Sequence, residues 1–260
     1  MASTDARRTI AALRGSYETL RSIVDRLDAE ALGGPSYDDG WSIAQVLSHL
    51  GSQAEIMDGY LAAALGASDP PGQEQFPAIW AAWDSRGPED QRAESLAVND
   101  RHIGRLEALG DDDLAVLHLS LFGVLEVDGG GFARLRLAEH AVHTWDVAVA
   151  LDPGATVAPD AVDLLVDSAA EVAAWVGKPQ KPVRLRVDTT GPERSYALLV
   201  EDRVSITPYA DQDVRGTMSL PAEAFLRLVY GRLDPDHTPA VDLDAADVTL
   251  DELRRTFPGV

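Results

Sequence analysis

The apolar residues of this chain change their period once. Up to about residue 176 they recur at steps of three and four, and beyond the GKPQKP stretch at 177–182 they alternate. The first spacing puts side chains on one stripe of a helix, and the second on one face of a strand. A chain patterned in this way folds as helices first and a sheet afterwards, which makes it α+β. Its 260 residues are enough for two modest hydrophobic cores. The expected division is a helical bundle over 1–177 and a small α+β domain over 182–260.

Local signals refine the helical part. Ile10, Leu13, Tyr17, Leu20, Ile23 and Leu27 form one stripe, predicting a helix over 4–29 that GGPS at 33–36 breaks. Ser42 with Gln45 three residues later is a capping-box pattern, so a second helix opens there and runs to the SDPPG turn at 68–72. A third covers about 88–109 and stops at Gly110. Residues 114–127 read as a hairpin closed by DGGG at 128–131, a fourth helix covers about 132–151, and another at 159–176 completes the bundle. Beyond the switch, VRLRV at 183–187, YALLV at 196–200 and VRGTMSL at 214–220 alternate as strands do. Helices at 221–231 and 250–256 then surround a short strand at 241–243.

Composition removes several classes of function. With 43 acidic against 22 basic residues the net charge is -21, a field that repels phosphate backbones and anionic lipid surfaces. Nucleic acid and membrane are therefore not expected partners, and no apolar run approaches the roughly 20 residues of a spanning helix. The opening residues MASTDARRTI lack the apolar core and cleavage site of a secretory signal, so a cytoplasmic location is expected. There is no cysteine, which excludes disulfides, thiolate ligands and a cysteine nucleophile together. Thiol chemistry on this chain needs a cosubstrate that brings the sulfur.

One constellation carries chemistry. In LAEHAVHTWD, Glu139 and His143 lie four residues apart on a helical segment, so both project from one face, and Asp146 continues that face. An imidazole and a carboxylate at this spacing can chelate one ion, and His49 in the middle of the second helix can supply a third ligand from a facing helix. Two histidines and one carboxylate leave a divalent ion a net positive charge and an open position, as in catalytic sites. The residues alone leave a second reading open, with His49 a hydrogen-bonded core histidine and Glu139 the partner of an arginine. His140 points about 100° away from Glu139, and His102, His118 and His237 read as solvated or structural. Trp41 and Trp145 read as core filling, while Asp146 fits a bond to a ligand histidine or to a helix end equally well. Neither a phosphate loop, a dinucleotide fingerprint nor a nucleophile elbow occurs.

The stretches GWSIAQVLSHL at 40–50 and LAEHAVHTWDVAVAL at 137–151 resemble the two signature segments of the mycothiol-dependent maleylpyruvate isomerase family, within the DinB-like superfamily of helical bundles. TMSLPAEAFLRLVYGRLDP at 217–235 and the ending LRRTFPGV resemble that family's second domain, so the likeness covers nearly the whole chain. It implies a DinB-like four-helix bundle and a family with many actinobacterial members. It also implies metal ligands at His49, Glu139 and His143, a divalent ion expected to be zinc, and an active-site arginine at Arg232. The implied activity is a thiol-dependent isomerase or S-transferase, with mycothiol as cosubstrate and a small electrophile as substrate. Metal-dependent hydrolysis and non-catalytic small-molecule binding are the competing expectations, and monomer and homodimer are both compatible with the sequence. Residues 111–131 carry no matching motif and are expected to shape the substrate pocket.

Overall fold

The computed structural model describes residues 2–259, so Val260, the last residue of the LRRTFPGV ending, lies outside them. The chain forms two compact units, Met1–Ala155 and Thr156–Val260.

The first unit contains α1 (Ala2–Val24), the single turn α2 (Ala29–Leu32), α3 (Ile43–Ala64), α4 (Phe76–Asp84), α5 (Pro88–Ala108) and α6 (Asp111–Val116). The antiparallel hairpin of β1 (His118–Leu121) and β2 (Leu125–Asp128) and then α7 (Gly129–Leu151) complete it. Four long helices form the bundle, with α1 packed on α7 and α5, and α3 packed on α5 and α7. The capping box forms as the spacing predicts. Ser42 Oγ accepts from Gln45 N at 3.2 Å, and Gln45 Oε1 accepts from Ser42 N at 2.9 Å, satisfying two amides that would otherwise be orphaned at the helix start. Below the cap, Ile43, Val46, Leu47 and Leu50 join Leu20, Val24, Leu32 and Val147 in one buried cluster.

Three differences from the sequence reading have local causes. Helix α7 starts at Gly129 rather than near 132, because Asp128 Oδ1 caps it through Gly131 N at 2.7 Å. The glycines there also admit a neighbour, since a Cβ on Gly129 would meet Leu114 O at 2.7 Å. Helix α4 has no counterpart in the prediction. Its nine residues stand between the proline-rich turn and Gly87, and its buried side chains are Phe76 and Trp83, with Ile79 packed beside Trp83. Helix α6 likewise occupies the start of the stretch taken as hairpin, with Gly110 N ahead of it donating to Asp113 Oδ2 at 3.0 Å.

The second unit begins earlier than expected. Helices α8 (Pro159–Leu165) and α9 (Ala169–Val176), joined by a 3-10 turn at 166–168, belong with the sheet and not with the bundle. Their apolar row, Val162, Leu165, Ala169, Ala173 and Val176, is buried against α10 (Ala222–Val229) and the sheet. That sheet has the order β5-β4-β3-β6-β7, built from β3 (Val183–Thr190), β4 (Arg194–Val200), β5 (Val204–Pro208), β6 (Gly216–Pro221) and β7 (Asp242–Ala245). Only β3 and β6 run parallel. Val183, Leu185 and Val187 of β3 alternate inward, Leu185 opposite Leu198 and Val187 opposite Tyr196, and α11 (Leu250–Thr256) closes the unit. Strand β5 was missed because its five residues follow a charged turn and end on Pro208, too short a run to mark a strand. Among the described residues no helix is long and apolar enough to cross a membrane.

Candidate metal centre

Helix α3 presents His49 toward α7, which carries Glu139 and His143 one turn apart. Their ligand atoms, two imidazole nitrogens and a carboxylate oxygen, all lie within 4.8 Å of one another. Glu139 Oε1 is shared: it is 2.9 Å from His49 Nε2 and 3.7 Å from His143 Nε2. The sequence reading that makes Glu139 the partner of an arginine is not what the geometry gives, since its hydrogen-bond partners are histidines.

Behind His143 stand two carboxylates the metal spacing does not need. Asp146 Oδ2 lies 2.8 Å and Asp38 Oδ2 3.3 Å from His143 Nδ1. A carboxylate only accepts, so Nδ1 carries a proton and donates it, which fixes the ring and leaves Nε2 facing Glu139. Of the roles open to Asp146 in the sequence, the bond to His143 is present. Asp38 was not foreseen, because it sits in the irregular stretch between α2 and α3, where no periodicity marks a residue. The Pro35–Ser42 bridge and a hydrogen bond from Tyr37 N to Asp146 O at 3.1 Å hold that stretch against α7.

Electrostatics follow from these contacts. Burial disfavours the charged form of Glu139, yet hydrogen bonds from His143 and His49 overcome it and hold the carboxyl well below the usual carboxylate range. Burial likewise disfavours the His143 imidazolium, but bonds to Asp146, Asp38 and Glu139 raise its pKa well above the ordinary value. The set fits a divalent cation of the zinc type: two imidazoles and a carboxylate converge, and one imidazole is braced by carboxylate through its far nitrogen, the usual arrangement around a ligating histidine.

A cleft of about 280 Å³ opens beside His49. Trp41, Gln45, Gln53, Trp80 and Asp84 line it with His49. Its walls thus come from the start of α3, from α3 itself and from α4, whereas the sequence reading looked to residues 111–131. Trp41 is not core filling either, being 37% exposed with its ring centroid 5.3 Å from that of His49 and 6.4 Å from that of His143. Trp145 does fill the core, and its Nε1 donates to Ala155 O at 2.9 Å.

Beneath the cluster lies a buried polar network. Arg136, one turn before Glu139 on α7, is 1% exposed and donates from Nη2 to Asn99 Oδ1 at 3.2 Å. Asn99 Nδ2 reaches Leu50 O at 3.2 Å, tying α5 to α3 next to His49. Nε and Nη1 of Arg136, and Nε2 of His102 and His140, find no hydrogen-bond partner among the described residues. Burial pushes Arg136 down to about 10, and burial with the charges of Arg136 and His143 pushes His140 down to about 3. His102 is buried beside Asp58, not solvated, while His118 and His237 pair with Glu126 and Asp234. In the second unit Arg232 follows Gly231 after α10, is largely buried, and donates from Nη1 to Tyr230 O at 2.8 Å.

A family model described as "Mycothiol maleylpyruvate isomerase N-terminal domain" matches residues 13–148. Among curated proteins no sequence matches. Two solved structures share the fold. "Crystal structure of the mycothiol-dependent maleylpyruvate isomerase" superposes with a TM-score of 0.69 at 14% identity, covering 94% of this chain and 95% of that one. A histidine-to-alanine mutant of the same isomerase gives 0.67 at 15% identity, with the same coverage.

Proposed function

The chain belongs to the mycothiol maleylpyruvate isomerase family, and on that premise we propose that it is a metal-dependent enzyme using a low-molecular-weight thiol, mycothiol in type, either to isomerise a small electrophile or to transfer the thiol onto it. The observation that carries the reading is the convergence of His49, Glu139 and His143 at the edge of an open cleft. A cysteine-free chain agrees with it, since the sulfur must then arrive with the cosubstrate.

His49, Glu139 and His143 would hold the ion, with Asp146 and Asp38 fixing His143. When bound, a divalent ion lowers the pKa of a coordinating thiol, which would otherwise be only a few per cent ionised at neutral pH. The protein's groups prepare this step. Glu139 stays ionised against its burial, and His143 gives up its Nε2 proton while keeping the Nδ1 proton on Asp146. Trp41 shields the two imidazoles from bulk water on one side. The chemistry such a thiolate would supply is addition to an electrophilic carbon, its electron pair forming the new bond as the carbon's π pair moves onto the conjugated carbonyl. An isomerase would then expel the sulfur after the bond has turned, whereas a transferase would protonate the adduct and release it. Arg232 enters through the family resemblance, as the guanidinium that clamps a substrate carboxylate.

Elemental analysis tests the ligand set. One divalent ion per chain is expected, with loss on His49→Ala, Glu139→Ala or His143→Ala, and full stoichiometry in any variant removes that residue from the set. For the cosubstrate, cobalt-substituted protein titrated with a thiol should gain a near-ultraviolet thiolate band. An unchanged spectrum, together with turnover that needs no thiol, puts metal-dependent hydrolysis in its place. An unaltered kcat/KM in Arg232→Met returns that residue to a structural role.

A further inference from the structure

The tip of the β1–β2 hairpin has a backbone conformation that its residue does not favour. The turn from Leu121 to Val124 is closed by a hydrogen bond from Val124 N to Leu121 O at 3.1 Å, and both central residues have positive φ, +56° at Phe122 and +69° at Gly123. Hairpin turns with two positive φ angles prefer Asn-Gly or Asp-Gly. Among the described residues the other non-glycine residue with positive φ is Asp211, whose short polar side chain suits that region as the bulky ring of Phe122 does not. Such strain persists only where surrounding contacts over-determine it.

Those contacts lead away from the hairpin. Phe122 N donates to Tyr60 Oη of α3 at 3.1 Å, and Phe122 O accepts from Gln73 Nε2 in the turn that leads into α4. The Phe122 ring meets Tyr60 and Phe76 edge to face, at centroid distances of 5.6 and 6.0 Å. One turn further along α4, Phe76 meets Trp80 at 6.1 Å, and Trp80 is a wall of the cleft beside His49. A row of aromatic rings thus runs from the hairpin tip to the cleft. The far end of α4 is held independently, since Trp83 Nε1 donates to Glu55 Oε2 at 2.8 Å and Asp84 Oδ1 accepts from Ser48 Oγ at 2.7 Å. The end that carries Phe76 and Trp80 leans on Phe122.

A hairpin that served only itself would relax this strain with asparagine at position 122. We propose that Phe122 is a positioning residue for the cleft: the hairpin presents its ring to Phe76, and through Phe76 it sets where the Trp80 indole stands in the cleft wall. The hairpin tip then acts on which small electrophile fits, without touching it. That consequence rests on the function proposed above, while the placement of Trp80 does not.

Fluorine NMR of the full chain labelled with 5-fluorotryptophan tests the placement. Of the five tryptophan resonances, Trp80→Phe and Trp145→Phe identify the two needed. Phe122→Leu and Phe122→Asn should each shift or broaden the Trp80 resonance, while that of Trp145, buried in the core, stays in place. Phe122→Tyr, which keeps the ring, should behave as the parent chain does. In a chain already carrying Phe76→Leu, Phe122→Leu should add nothing, because the link is already cut. With an accepted electrophile, Phe122→Leu should raise KM about fivefold at nearly constant kcat, the signature of altered fit rather than altered chemistry. An unmoved Trp80 resonance, an equal displacement of Trp145, or effects of Phe122→Leu and Phe76→Leu that add would each overturn the proposal, and a moved Trp80 with KM unchanged would overturn its consequence for fit. Should Phe122→Asn fail to fold, Phe122→Leu and Phe76→Leu carry the same comparison. Zinc content separates this from the parent reading. If Phe122→Leu moves Trp80 in a chain that binds no divalent ion, the positioning role stands and the metal-dependent reading falls. An ion bound with Trp80 unmoved gives the reverse.

Discussion

Replacing Asp146 by asparagine isolates the bond that orients His143. Asp146 is fully buried, and its Oδ2 lies 2.8 Å from His143 Nδ1, so the contact is a charge-assisted hydrogen bond shielded from water. Such bonds contribute about 1.5–3 kcal/mol, against about 0.5–1.5 for a neutral pair. Asparagine keeps an acceptor in place, so the loss is the difference of about 1–1.5 kcal/mol, or roughly five- to tenfold in zinc affinity. Asp146→Ala, which leaves Nδ1–H with only Asp38 at 3.3 Å, should approach the hundredfold end of the range for such supporting carboxylates. The pH dependence has a definite sign. Asp146 helps raise the His143 pKa, and a proton on Nε2 competes with the ion, so removing the charge relieves that competition at low pH. The loss should therefore be smallest near pH 6 and grow toward pH 8. Competition against a chromophoric chelator at several pH values reads it directly, with urea unfolding as the control for the fold. Affinity within twofold of the parent at pH 8, in a protein of unchanged stability, would show that Asp146 serves the loop at Tyr37 rather than the imidazole.

Three further outcomes follow from buried groups. Arg136→Met should raise stability by about 1–3 kcal/mol in urea titrations, since it removes a buried charge whose desolvation outweighs the one bond lost to Asn99; a clear destabilisation would mean the guanidinium is compensated. His140 is neutral when folded, with a pKa pushed down to about 3 by burial and neighbouring charge, so the unfolded chain binds a proton that the folded one refuses between about pH 6.5 and 3. Stability must then fall as pH falls through that window, by up to about 1.4 kcal/mol per unit, and His140→Leu should flatten the slope by about one proton. Gly51→Ala places a Cβ 2.3 Å from the buried Trp83 ring, and overpacking of about 1–3 kcal/mol should exceed the ~1 kcal/mol gained in helix propensity, lowering the thermal midpoint; an unchanged midpoint would mean that Trp83 shifts freely.

Regular elements were legible where the sequence repeats. The stripe of α1, the Ser42–Gln45 cap and the alternation of β3 each encode a surface that must be buried, and each appears within a few residues of its predicted place. That Glu139 and His143 share one face of α7 was legible for the same reason, while His49 as their neighbour rested on the family resemblance, and the structure brings the three side chains together. What escaped lies where geometry is set by distant partners. Asp38 sits in a non-repeating stretch, and its approach to His143 depends on Tyr37 N reaching Asp146 O. Trp80 and Asp84 belong to a helix too short and too exposed to show a stripe. Helices α8 and α9 have an apolar row that reads equally well against a bundle or a sheet, and only the contacts decide.

The capping box at Ser42 also marks a boundary between two degrees of structural constraint. The residues proposed to hold the ion stand on α3 and α7, whose inner faces are locked into the bundle core, so substitutions there disturb stability and chemistry together. The cleft is shaped instead by Trp41, just ahead of the cap, and by α4, which is held mainly against α3. Such peripheral segments tolerate replacement at little cost to the core. A lineage can thus exchange the contour that selects a ligand while inheriting the reacting centre unaltered, so one scaffold can spread across many substrates.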